Sequence, residues 1–438
     1  MHLQVLFSEF VNIFVSHPSE AQLWEEVSQY ERICAQQAET LSKIIRKAPR
    51  QHANFSRTHQ VYQQMIGERN TWRLLGSLYA ERTNENEING DQHMLDETSV
   101  PLTDQTIVTQ LYDNDNTIRE VQIIIDWLEK NAADDLGSQA FDRMEYFSDS
   151  HISWENTLRV LKNEQDQVRN STVTLGGARM LVKSLDPDAP LREGCPLHDL
   201  DQEDEMRLAR CLFGCVRGGQ IDKAQELCIR AGQHWRAAAF EGWKLHDDPN
   251  FLNGASRMPR TGNQYRDVWK AVAWKASSDQ RLPPYERATY GALCGHLPSM
   301  LEVCKNWEDQ LWAYTRSLVD QRVEEQLRAS SRHLRSLHPL PKDYPEERVT
   351  LSSIFKSVER GLDNSECHAP YRIIQKHLIL NDISGLIQIA HNWLSDNPAP
   401  HLLRCLTHLL LVLRRLGFIP IDLNEQATDI LHACVKVS

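Results

Sequence analysis

The chain has 438 residues, 41% of them hydrophobic and 25% charged, the balance of a folded protein rather than a disordered one. Its formal net charge of −12 repels phosphate backbones, and no large cluster of Lys and Arg offsets it, so direct nucleic-acid binding is disfavoured. No run approaches the roughly twenty apolar residues of a membrane span, since Leu402 to Leu413 is broken by Arg404, Thr407 and His408.

Helical periodicity runs from end to end. Leu3, Leu6, Phe7, Phe10 and Phe14 share one face of a first helix, which Pro18 interrupts, and Ser19 with Gln22 predicts a capping box for the next. In that second helix Leu23, Val27, Tyr30, Cys34, Ala38, Leu41 and Ile45 step by three or four. A third, from about Ser56, carries Met65, Trp72, Leu75, Leu78 and Tyr79. Residues 84–115 hold eight acidic residues and no Lys or Arg, and read as an exposed loop. Helices resume at Asn116–Ala132 and His151–Gln167, and three prolines (Pro187, Pro190, Pro196) mark an irregular connection over 185–200.

From Glu203 to Trp243 the pattern predicts three short helices, the first stopping at Gly218-Gly219 and the second at Gly232, where glycines suit left-handed C-terminal turns. Further helices are expected at Gln264–Ser277, Pro284–Gly295, Asn306–Arg335, Pro345–Arg360, Pro370–Leu380, Ile383–Ser395, Pro400–Leu416 and Glu425–Val435, several with Pro in the first turn. No segment alternates with period two. Small residues at helix contacts with an aromatic anchor per turn are what stacked antiparallel hairpins require, so the expected fold is all-α, an irregular α-helical solenoid.

Chemistry is sparse. Gly176-Gly177 and Gly218-Gly219 lack the Lys-Ser/Thr of a phosphate cradle, and there is no HExxH. Cys211 and Cys215, four apart beside Leu208 and Leu212, read as helix packing, as do His401 and His408 among leucines. Ser353 and Lys356 have SxxK spacing without its companion motifs. The run Asp201, Glu203, Asp204 and Glu205 reads as a helix start that favours acid. Ten cysteines without a CxxC pair suit a reducing compartment. Trp269 and Trp274, beside Lys270 and Lys275, could be a base-stacking platform, but a five-residue spacing splays them and core anchoring is the preferred reading. No catalytic residue, metal site or cofactor is expected.

Three strings carry a resemblance: Gly219 to Pro249 (GQIDKAQELCIRAGQHWRAAAFEGWKLHDDP), Gly262 to Trp274 (GNQYRDVWKAVAW) and Asn306 to Tyr314 (NWEDQLWAY). They resemble scaffold nucleoporins of the nuclear pore's outer-ring Y complex, in the family of the hundred-and-seven-kilodalton vertebrate and eighty-four-kilodalton yeast nucleoporins. Thr71 to Leu75, Pro370 to Leu380 and Leu402 to Gly417 fit the same pattern. The resemblance implies an ancestral-coatomer-like trunk and crown. It further implies a structural role in pore assembly at the nuclear envelope, and through it in mRNA export and nuclear protein import. The implied partners are other Y-complex nucleoporins, chiefly the helical one released by self-cleavage of a precursor. The family motifs carry over as fold residues: Trp72, Gly232, Trp235, Gly242, Trp243, Gly262, Asn263, Trp269, Trp307, Leu311, Trp312 and Tyr314. On this reading residues 1–83 are N-terminal solenoid helices, 84–115 the acidic loop, 116–184 a crown region, 185–200 a Pro-rich connection and 201–438 the trunk. The family's C-terminal domain, with its own partner, is expected to be absent after Ser438. Exposed apolar positions between Asn116 and Gln167 are the expected partner contacts.

Two other readings compete. A vesicle-coat solenoid adaptor would share the helices without the three central strings. An enzyme with a site assembled from scattered residues would show a deep polar pocket holding a carboxylate or His of altered pKa.

Overall fold

The computed structural model describes residues 2–47, 55–88, 103–144, 153–169, 180–249, 258–331, 336–345, 349–396 and 398–437. Among these the structure is all-α, with a single isolated bridge between Asp247 and Thr261 outside the helices. No helix among them is long and apolar enough to cross a membrane. The chain forms two compact units: Met1–Glu97 with Thr350–Ser438, and Thr98–Val349.

The first unit begins with α1 (His2–Ser16), α2 (Leu23–Lys47) and α3 (Phe55–Ile88). The period read from the sequence is the one that packs, since Leu23, Val27, Tyr30, Cys34 and Ala38 of α2 are all buried, and α2 lies along α3. Phe10 of α1 stacks on Tyr30 at 4.5 Å, and Trp72 of α3 meets the same ring at 4.8 Å. The Ser19 capping box does not form. A 3₁₀ turn, Glu20–Gln22, intervenes before α2, and the Ser19 carbonyl instead accepts from Arg415 at 2.9 Å.

The second unit holds α4 (Asp104–Asn114), α5 (Asn116–Met144), α6 (Glu155–Arg169), α7 (Ala189–Glu193), α8 (Asp199–Arg217), α9 (Ile221–Arg230), α10 (His234–Ala239), α11 (Arg266–Ser278), α12 (Pro284–Cys294), α13 (Leu297–Val303) and α14 (Trp307–Ser331). The acidic loop reading of 84–115 needs correcting at both ends. Helix α3 continues to Ile88, and α4 occupies 104–114, capped by Thr103 and burying Ile107, Val108 and Leu111; residues 89–102 lie outside those described. Its acids hid an apolar i, i+1, i+4 stripe. Helices α7 and α13 also went unread, both being too short for a period to show. Neighbours in sequence pack on one another (α8 on α9, α9 on α10, α11 on α12, α12 on α13), while α5 joins α8 and α14 across longer separations.

The chain then returns to the first unit with α15 (Leu351–Gly361), α16 (Asn364–Cys367), α17 (Pro370–Ile379), α18 (Ile383–Trp393), α19 (Pro400–Arg415) and α20 (Asn424–Val437). This grouping differs from the linear division 1–83 and 201–438, because the last helices complete a core that the first three leave open. Arg82 of α3 donates to the carbonyls of Leu378 and Ile379 at 2.9 and 3.0 Å, satisfying the end of α17. Arg404 of α19 and Glu68 of α3 form an ion pair with both side chains fully buried.

His408 of α19 sits in that core, its Nδ1 3.1 Å from the Tyr30 hydroxyl and its ring 5.2 Å from Phe10. Burial, with the Arg404 charge adding to it, pushes the imidazole down to about 3. A His whose folded pKa is depressed binds fewer protons than the unfolded chain, so stability is present at neutral pH and lost as pH falls below about 6.5 toward 3. We expect up to about 1.4 kcal/mol of lost stability per pH unit in that window. Denaturant titrations of the wild type and of His408→Phe should show a shallower acid slope in the variant; equal slopes would refute the assignment.

Candidate functional site

All the motif residues except Trp72 lie in the second unit. Helix α9 ends at Gly232, whose φ is +73°, and Gln233 N–H returns to the Cys228 carbonyl at 2.8 Å, closing a left-handed C-terminal turn. Trp235 departs from the core role, being 40% exposed with the Arg236 guanidinium 4.8 Å above its ring. It occupies the second position of a six-residue helix whose inward face is taken by Arg236 and Ala237.

Gly242 and Gly262 are demanded by close approach. A Cβ on Gly242 would lie 2.0 Å from Cδ1 of Trp269, whose Nε1 donates to the Ala239 carbonyl at 2.9 Å. Gly262 has φ +72°, and its Cβ would stand 1.8 Å from the Leu245 carbonyl oxygen. Asn263 ties the two glycines together, donating from Nδ2 to the Gly242 carbonyl at 2.9 Å and from its backbone to Lys244 O at 3.0 Å. The end of the first string and the start of the second are therefore one knot. Trp243 is half-buried, its carbonyl accepts from Arg266 Nε at 2.9 Å, and its indole N–H is buried without a partner. Gly262→Ala is expected to cost roughly 1–3 kcal/mol through forced φ and backbone overlap. Chemical denaturation measures it, and a cost near zero would show that the turn can relax.

The third string lies on α14. Trp307, Leu311 and Trp312 are buried, and Tyr314 is half-buried. Trp312 Nε1 donates to Glu129 of α5 at 3.0 Å, Phe213 of α8 meets the ring edge-on, and Arg217 lies 5.1 Å over its face. Burial raises the Glu129 carboxyl, against the pull of Arg316 and the Trp312 bond. Trp72 belongs to the other unit, fully buried against Phe10 and Tyr30.

A buried ionic network escaped sequence reading. Lys270 of α11 is 2% exposed, its Nζ 2.6 Å from Asp320 and 3.2 Å from Glu324 of α14, with Arg266 on the same two acids. Burial alone would raise the Glu324 carboxyl, but Lys270, Arg266 and Arg328 outweigh it and hold it down to about 2. Lys270 is thus no part of a base-stacking surface, and Trp274 is buried with its Nε1 on Asp343 at 3.0 Å. The visible signal was Arg266, Lys270, Trp274 and Ser277 at helical spacing, facing Asp320 and Glu324 at i, i+4.

Other singled-out residues also serve packing. Cys211 is half-buried and Cys215 buried, and burial lifts the Cys215 thiol to about 11, far from a reactive thiolate. Ser353 is the return partner of Thr350 in the α15 capping box, which accounts for its spacing to Lys356. Asp201 does more than favour its own helix, because its carboxylate accepts from the backbone N–H groups of Asn156 and Thr157 at 3.3 and 2.6 Å, capping α6. Among the described residues no three His, Cys, Asp or Glu side chains come together as metal ligands.

Surface chemistry corrects the expected contact region. Among residues 116–136 and 153–163, whose side chains are described, no large apolar side chain is exposed, and α5 packs on α8 and α14. Exposed apolar residues elsewhere include Tyr265 (69%), the N-cap of α11, with Val268 (43%) and Val272 (63%) at helical spacing after it. The first unit holds a groove of about 710 Å³ beside α3, and none of the carboxyls raised by burial (Asp126, Glu129, Asp204) lines it.

These features define an all-α helical protein whose motif residues, Trp235 apart, serve packing. The family follows from comparison. The sequence profile of the nuclear pore protein 84/107 family matches residues 62–437, and the chain belongs to that family. It is 41% identical to the human nuclear pore complex protein Nup107, covering 94% of this chain and 44% of that one. The rat protein of that name is 39% identical over 97% of this chain and 47% of its own length, and the Drosophila melanogaster protein 34% over 99% and 51%. The chain therefore spans about half the length of these relatives.

Proposed function

We propose that the chain is a structural scaffold subunit of the nuclear pore complex outer ring, located at the nuclear envelope and acting by protein–protein binding rather than by turnover. The observation that carries this reading is family membership across most of the chain, with the family's three central strings spent on packing (the Gly242–Trp269–Asn263 knot and the Trp312 core). Support for pore assembly, mRNA export and nuclear protein import follows from that role. Its partners are other Y-complex nucleoporins, chiefly the helical one released by self-cleavage. The first unit, built from both chain ends, is read as the trunk, and the second, Thr98–Val349, as the crown that takes this partner.

Affinity capture from nuclear-envelope extract, with mass-spectrometric identification of co-purifying chains, tests the proposal. Recovery of outer-ring nucleoporins is expected. Recovery of vesicle-coat proteins alone would favour the adaptor reading, which shares the helices.

A further inference from the structure

The hairpin of α2 and α3 carries a charge pattern that its packing leaves unused. Thr40 to Gly67 is the longest stretch of the chain without Asp or Glu, and it holds five Lys and Arg in a protein of net charge −12. Val27 of α2 packs against Gly76 of α3, and Glu31 pairs with Arg73 at 2.7 Å. That antiparallel register brings the last turn of α2, with Arg46 and Lys47, level with Arg57 in the first turn of α3. Burial on α2 ends at Ala38 and on α3 begins at Met65, so the closed end of the hairpin runs past the buried core. Lys43, Ile44 and Lys47 share its outward face, with Ile44 49% exposed, while Leu41 and Ile45 turn inward.

Local roles do not absorb this charge. Arg46 and Lys47 suit the negative C-terminal end of α2, but Arg57 sits at the positive end of α3, where acid is favoured and the first turn has none. Lys43 pairs with Glu39 four residues before it, and both side chains are largely exposed, where such a pair contributes little.

We propose that this hairpin end docks an acidic helix of a partner protein, laid along the outer face of α2 with Asp or Glu against Lys43 and Lys47 and a Leu-sized residue against Ile44. Charge complementarity selects the acid. Among the described residues of the tip, 39–47 and 55–64, Ile44 is the one large apolar side chain exposed, whereas a membrane surface requires a broad apolar face. Net charge −12 also sets the chain as a whole against an anionic bilayer or a phosphate backbone, while a slender helix meets only the tip. The surface belongs to the first unit and is independent of the crown contact proposed above.

The probe is a fluorescein-labelled, end-capped peptide of four Glu-Glu-Leu-Ala repeats, titrated by anisotropy beside its Gln-Gln-Leu-Ala twin. The acidic peptide should bind the 438-residue chain about tenfold more tightly than the twin at low salt, and less so as salt is added. Lys43→Glu with Lys47→Glu should lower that affinity about tenfold with the thermal midpoint held, since both side chains are exposed. Lys43→Gln with Lys47→Gln should give a smaller loss of the same sign, and decides the matter if the reversed charges unfold the hairpin. Lys275→Glu with Lys356→Glu, the same change in net charge at exposed positions elsewhere, should leave the affinity unchanged. Equal binding of the two peptides, binding of neither, or an equal loss in the Lys275 and Lys356 variant would overturn the proposal. So would binding of phosphatidylcholine–phosphatidylserine vesicles or of a short poly-uridine RNA as tightly as the peptide, abolished by the same Lys43 and Lys47 changes.

Discussion

Truncating Trp312 to alanine is expected to destabilise the second unit by roughly 3–5 kcal/mol, the range for a large aromatic removed from a packed core. Nothing of Trp312 reaches solvent, so the cavity it leaves opens between α5, α8 and α14 at once. The loss is compounded at Glu129, whose half-buried carboxylate forfeits its indole donor. Trp312→Phe retains most of the volume and should recover a large part of the cost. Trp243→Ala is the control, since that side chain is half-buried and its N–H already lacks a partner. Guanidinium denaturation followed by tryptophan fluorescence ranks the three variants. A cost for Trp243→Ala equal to that of Trp312→Ala would contradict the placement. Partner capture should fall only in proportion to unfolding; a loss of capture at unchanged stability would make Trp312 a contact residue instead.

Glu68→Ala should be as damaging to the first unit, at roughly 3–5 kcal/mol, because it strands a charge rather than a cavity. Arg404 is completely buried, its Nε and Nη1 have no hydrogen-bond partner, and Glu68 is its ion-pair partner. The Phe10 ring, 4.3 Å from the guanidinium carbon, shares the charge but accepts no proper hydrogen bond. Replacing both members with apolar residues of similar volume, Glu68→Leu with Arg404→Met, removes the stranded charge and should restore most of the stability. Denaturation midpoints of the single and double variants decide this. A double variant no more stable than Glu68→Ala would show that the pair contributes through geometry rather than through compensated charge.

Helices were legible because their signals are local. The apolar step of three or four in α2, the glycine stops at Gly232 and Gly295, and the proline starts of α12, α17 and α19 each lie within one or two turns of the feature they predict. The motif strings were legible too, and two of their glycines, Gly242 and Gly262, proved to be positions where a ring or backbone comes within contact distance. Trp235 was misplaced because a hydropathy stripe on a two-turn helix does not say which side has a neighbour.

By itself the sequence determined the all-α class, the positions of the long helices and the family, since all three depend on short-range pattern. Only the tertiary structure decided that the chain's two ends build one unit, that Lys270 and Arg404 are buried charges with acids 50 and 336 residues away, and that the apolar face of residues 116–136 is covered. The physical reason is that burial is a property of a pair of surfaces. A helix writes down which of its faces is apolar, but the partner that covers that face comes from segments far along the chain.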